Sequence, residues 1–134
     1  MEDKNVLVKY WMKTAEHDYD TMLSLFKSKR YSDSLFYGHI VLEKTLKALV
    51  ARNKGSHPKP IHNLLVLLED AGIELTKEDL EFLAEVNKFN IRARYPDYKL
   101  SFYKICTLDY TASRLEKIKL MYKKLCGALK TSRK

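Results

Sequence analysis

The sequence has no long apolar run. Its longest, Leu64-Leu65-Val66-Leu67-Leu68, spans five residues, whereas a helix needs about 20 to cross a bilayer. No membrane-spanning helix is expected. The opening Met1-Glu2-Asp3-Lys4 lacks the basic-then-apolar layout of a secretory leader, so a cytoplasmic location is the expectation. Glycine and proline are scarce, four and three in 134 residues, and Pro58, Pro60 and Pro96 leave both ends uninterrupted. Those ends are free to form long helices. The two cysteines, Cys106 and Cys126, lie 20 residues apart, about 30 Å if one straight helix holds both. A disulfide needs Cα atoms within about 7 Å, and the spacing fits no zinc or redox motif. Free packing thiols in a reducing compartment are expected. Also absent are a P-loop, a Rossmann glycine pattern, a His-Glu-x-x-His metal helix and a nucleophile elbow. Nothing in the sequence implies a cofactor or a metal.

What the chain does have is helical periodicity. A chain of 134 residues, 46% of them hydrophobic, can bury roughly two-thirds of its unfolded surface, and a single domain over residues 1–134 is expected. From about Lys4 to Lys27, Trp11, Ala15, Met22 and Leu25 share one helical face, with Asp18 in the same stripe. Tyr31 to about Asn53 carries two adjacent stripes, Leu35, His39, Leu42, Leu46, Leu49 and Phe36, Ile40, Glu43, Lys47, Val50. So wide an apolar arc places this helix centrally. The Gly55-Ser56-His57-Pro58-Lys59-Pro60 loop ends it. Asn63 and Gly72 suit the caps of a short third helix. Thr76 and Asp79 open a fourth, which runs through Leu80, Leu83, Asn87 and Ile91. Pro96 ends that helix at or before Tyr95. After a less regular stretch, Leu108, Leu115, Ile118, Tyr122, Leu125 and Leu129 mark the last helix. The fold expected is an all-α, up-and-down bundle of about five helices.

Three clusters carry chemistry. Asp18, Glu43 and Lys47 are ionisable groups on stripes assigned to the interior. Two readings fit them: an ion-pair network docking the first two helices, with Asp18 approaching Lys47, or a polar site in the groove between those helices. The second cluster is Arg92, Arg94, Tyr95 and Asp97 around the Pro96 stop. Arginine grips phosphate bidentately and tyrosine stacks on bases, which are the parts of a nucleotide or RNA site; the same cations also complement a helix C-terminus. The third is basic. Residues 111–134 hold eight Lys or Arg against Glu116 alone, a local charge of +7 within a total of +8. That asymmetry favours an anionic partner, phosphate-rich RNA or an acidic protein, bound with strong salt dependence.

The order of these segments resembles a HEPN domain of the small prokaryotic kind. The resemblance rests on Trp11 with Ala15-Glu16-His17-Asp18, and on Tyr31-Ser32-Asp33-Ser34-Leu35-Phe36 leading to Leu42-Glu43-Lys44-Thr45-Leu46-Lys47-Ala48-Leu49. It continues through His62-Asn63-Leu64 and Ala93-Arg94-Tyr95-Pro96-Asp97. It implies a helical bundle that dimerises. It also implies a partner, a minimal nucleotidyltransferase encoded separately, as in toxin–antitoxin pairs.

Other members of that family are metal-independent ribonucleases with an arginine, a polar residue after it, and a histidine a short step further on. Here Ala93 follows Arg92, and positions 97 to 101 are Asp97, Tyr98, Lys99, Leu100 and Ser101. Histidine matters because attack through a 2′-hydroxyl needs proton transfer near neutral pH. The expectation is therefore a non-catalytic nucleotide- or RNA-binding subunit with Arg92, Arg94, Tyr95, Asp97, Glu43, Lys47 and His62 as ligand-binding residues and no catalytic residue. His62 is expected to start the third helix and hydrogen-bond to it. A ribonuclease that recruits His62 in space, and an interaction scaffold, are the alternatives.

Overall fold

The computed structural model describes residues 4–130. They form six α-helices and no strand: α1 Lys4–Lys27, α2 Tyr31–Lys54, α3 Leu64–Ala71, α4 Lys77–Arg94, α5 Pro96–Ile105 and α6 Leu108–Lys130. Lys29, at φ 64°, reverses the chain between α1 and α2. The buried Ser34 hydroxyl then donates to the Met22 carbonyl at 2.8 Å, tying the first turn of α2 to the last turns of α1. Since α2 touches each of the other five helices, it is central as its double stripe requires. At Gly38 an added Cβ would lie 2.5 Å from Ile118 Cδ1, so the missing side chain lets α6 settle against α2.

The caps follow the sequence closely. Asn63 accepts from the Leu65 and Val66 amides at the start of α3, and Gly72, at φ 71°, closes its end. Thr76 accepts from the Asp79 amide to open α4.

Three expectations need correction. Pro96 begins a further helix where a less regular stretch was expected. A proline fits the first helical position because its fixed φ matches the helix and its missing N–H would be unpaired there anyway. Tyr95 thus caps the end of α4 and the start of α5. The second correction concerns α4: its buried face is Phe82, Leu83, Val86, Phe89 and Asn90, while Leu80 and Ile91 are exposed. The helix turns towards its two phenylalanines, whose rings bury the most apolar area, and Phe89 stacks on Phe102 of α5 at 5.8 Å. The third is α6, which starts at Leu108 and leaves that leucine exposed, so its seam runs from Thr111 through Leu115, Ile118, Met121 and Leu125. Cys106 falls at the end of α5, outside α6, and both thiols are free.

Candidate functional site

Charge in the middle of α2 determines what the surrounding elements must supply. His39, Glu43 and Lys47 recur every fourth residue and so stack on one side of the helix, buried. A carboxylate withdrawn from water needs partners, and Glu43 has them on two sides. Lys47 Nζ donates to Oε2 at 3.0 Å, and His62 Nδ1 sits 3.1 Å from both carboxylate oxygens. Lys47 also lies 5.2 Å over the Trp11 ring of α1, a cation held by an aromatic face. Asp18 does not approach Lys47 as expected. It pairs with Lys44, three residues before Lys47 on α2, because Lys47 is already taken by Glu43 and Trp11.

His62 makes two connections at once. Its ring binds Glu43, and its backbone carbonyl accepts from His39 Nε2 at 2.9 Å. This corrects the expectation that it bonds to α3: the Pro58–Pro60 loop carries it back onto α2. His39 is almost fully buried, and Asn90 of α4 donates to its Nδ1 at 3.2 Å. An imidazole that donates at Nε2 and accepts at Nδ1 is neutral. Burial lowers its pKa below 6.5, against the opposing pull of Glu43, which fits that assignment. The Asn90 carbonyl oxygen in turn faces Arg94 Nη1 at 3.5 Å. A polar chain therefore runs from Lys47 through Glu43, His62, His39 and Asn90 to Arg94.

Beside it, Asn87 accepts from the Leu64 amide and donates to the Asn63 side chain. His39, His62, Asn63, Asn87, Asn90 and Ile91 line a cleft of about 170 Å³. Glu43 and Lys47 lie behind that lining with their polar atoms engaged, so they hold the site in shape. His62, with its side chain 60% exposed and Nδ1 committed to Glu43, presents Nε2 outward.

The remaining expected residues separate. Arg92 and Arg94 are two positions apart and point away from one another: Arg94 meets Asn90, whereas Arg92 lies towards Cys106 and Tyr110. Desolvation there pushes the Cys106 thiol up to about 12, against the pull of Arg114 and Arg92. Tyr95 is exposed at the α4–α5 corner and Asp97 is exposed in the first turn of α5. His39, Asn87 and Asn90 were not expected as site residues. The only sequence signal for them was polar residues at core-facing positions: His39 within an apolar stripe, and Asn87 within the presumed seam of α4.

On α6, Arg114 pairs with Glu85, Lys124 with Asp79 and Lys119 with Glu116. Its basic face is thus partly answered by α4. Arg133 and Lys134, also part of the basic cluster, lie outside the described residues.

A family model, the HEPN domain, matches residues 8–127. The chain belongs to the HEPN domain family. No curated protein and no solved structure matches it. Membership supports a nucleotide- or RNA-related role in general, and HEPN domains commonly dimerise. No helix among the described residues is long and apolar enough to cross a membrane.

Proposed function

We propose that this HEPN chain is a non-catalytic nucleotide- or RNA-binding subunit. In this reading it is a homo-oligomer of a single domain, and it acts with a separately encoded minimal nucleotidyltransferase that supplies the transfer chemistry. The observation that carries the reading is the cleft between α2 and α4. Arg94 is aligned by Asn90, His62 is steadied by Glu43, and Tyr95 stands exposed beside Arg94. A guanidinium serves a phosphate, a ring face serves a base, and amide side chains serve a base edge. Arg94, Tyr95 and His62 make the ligand contacts in this reading; Glu43 and Lys47 position them. In this reading Arg92, turned towards Cys106 and Tyr110, and Asp97, exposed in the first turn of α5, serve a bound ligand outside the cleft.

Titration calorimetry with adenine and guanine nucleotides, and anisotropy with a short single-stranded RNA, test the proposal. Binding is expected to fall about tenfold in Arg94→Ala, the worth of one charge-assisted contact, and to weaken steeply with salt. A pure protein that binds neither nucleotide nor RNA and fails to co-purify with a nucleotidyltransferase would sink it.

One observation favours a second reading. A carboxylate that fixes an imidazole through Nδ1–H and leaves Nε2 facing outward is the arrangement of a general base. Metal-independent cleavage of RNA by EDTA-treated protein, abolished in both His62→Ala and Arg94→Ala, would establish that ribonuclease reading. Intact RNA would remove it.

A further inference from the structure

A second cavity, of about 240 Å³, lies between the start of α2 and the end of α5 and shares no lining residue with the cleft. Arg30 occupies the N-cap of α2, and its side chain has no oxygen with which to accept a hydrogen bond. The amides of Tyr31, Ser32 and Asp33 accordingly reach no acceptor among the described residues, and a helix of 24 residues keeps its positive end unanswered. Ser32, 7% exposed, lines the cavity with a hydroxyl that has no hydrogen-bond partner among the described residues. Hydroxyls withdrawn from water are ordinarily paired. This one is left to whatever enters the cavity.

We propose that this cavity is a phosphate site, in which the first amides of α2 and the Ser32 hydroxyl hold the oxygens of a phosphate group and Lys29 and Arg30 hold its charge. Both cations line the cavity, and neither has an ion-pair partner among the described residues. Across from them Tyr103 brings a further hydroxyl, and Cys106 a thiol that burial keeps protonated, with Arg92 and Arg114 near enough to pull against it. Donors converge here in greater number than the two oxygens of a carboxylate can use; a phosphate offers three or more strong acceptors. Of the described residues lining the cavity, Asp33 alone is acidic and opposes an anion. Two cations and a helix N-terminus outweigh it. Ser32 stands two turns before His39 on the same side of α2, about 10 Å along the axis, so the site neighbours the cleft without belonging to it. Free phosphate and the phosphate of a nucleotide present the same oxygens.

Titration of the full chain with sodium phosphate, followed by amide NMR against sodium chloride at matched ionic strength, provides the test. The amides of Tyr31, Ser32 and Asp33 are expected to shift saturably with phosphate and to stay in place with chloride. Ser32→Ala and Arg30→Ala should each weaken binding about tenfold, the worth of one charge-assisted hydrogen bond. Asp33→Asn should strengthen it about threefold by removing the opposing charge. Without phosphate, Ser32→Ala is expected to melt no lower than the wild type, since it removes an unpaired hydroxyl; a serine serving the fold alone would lower the midpoint. Amides that do not shift, that shift equally in chloride, or that keep full affinity in both Ser32→Ala and Arg30→Ala overturn the inference.

Adenosine monophosphate and adenosine, titrated in the same way, identify the source of the phosphate. If the monophosphate shifts these amides at lower concentration than phosphate alone does, with adenosine silent there, the site takes the phosphate of a nucleotide. If phosphate alone binds more tightly, the site takes the free ion. The Arg94→Ala variant separates this site from the cleft. Phosphate binding at Tyr31, Ser32 and Asp33 that persists in it leaves this inference standing whatever becomes of the cleft, whereas nucleotide binding at the cleft with those three amides unmoved defeats this inference alone.

Discussion

The helices α2 and α5 lie at opposite extremes of burial. α2 encloses nearly everything it carries, three ionisable side chains among them, while α5 leaves most of its apolar side chains in solvent. Each departs from the ordinary rule that apolar groups go in and charges stay out. In α2 the departure is answered inside the chain, by Lys47 and His62 on Glu43 and by Asn90 on His39. In α5 nothing among the described residues answers it. The contrast separates residues that hold the molecule together from residues left facing solvent.

That contrast can be broken most forcefully at Phe102, the one buried side chain of α5 among the described residues. Phe102→Ala removes a fully buried ring and should cost about 4 kcal/mol if α5 unfolds only with the whole. If α5 detaches by itself, hydrogen exchange will rise across Pro96–Ile105 while α2 keeps its protection, and the midpoint of global melting will move little. Next in size is Glu43→Ala, which strands a buried ammonium and should cost about 3 kcal/mol in denaturant unfolding. Replacing the pair together, Glu43→Leu with Lys47→Met, should be far milder yet free the His62 ring. A folded double variant with unchanged nucleotide binding would show that the network serves docking alone.

Acid offers a gentler probe of the same region. Because burial lowers the pKa of His39, the unfolded chain binds a proton more readily than the folded one. Stability is then complete above about 6.5 and falls as the pH drops below it. Glu43 and the hydrogen bond to the His62 carbonyl oppose the loss by favouring the protonated ring, while the charge of the His62 ring adds to it. His39→Gln should flatten that part of the pH profile in thermal melts. The smallest effect belongs to α5: Leu100→Gln should change monomer stability by less than about 0.5 kcal/mol, since the side chain has little to lose.

Much of this was legible in the residues. Caps at Asn63, Gly72 and Thr76 follow from local chemistry, and the doubled stripe of α2 was enough to place it centrally. Periodicity was less reliable where two faces competed, as on α4, since it records which residues are apolar and not which are largest. The separation of Arg92 from Arg94 follows from helical spacing alone. The chain of contacts through His39 and Asn90 does not, because it joins residues 51 positions apart whose polar character only acquires a role once α2 and α4 are packed.

Tyr95 gives the molecule a corner with no slack. One residue serves as the end of α4 and the beginning of α5, and the proline after it fixes the direction of departure. The two helices therefore behave as the arms of a bent lever. A force that seats α5 more firmly steadies the last turn of α4, where Arg94 and Asn90 stand. By reciprocity of linked equilibria, a ligand that steadies Arg94 strengthens the seating of α5 by the same free energy.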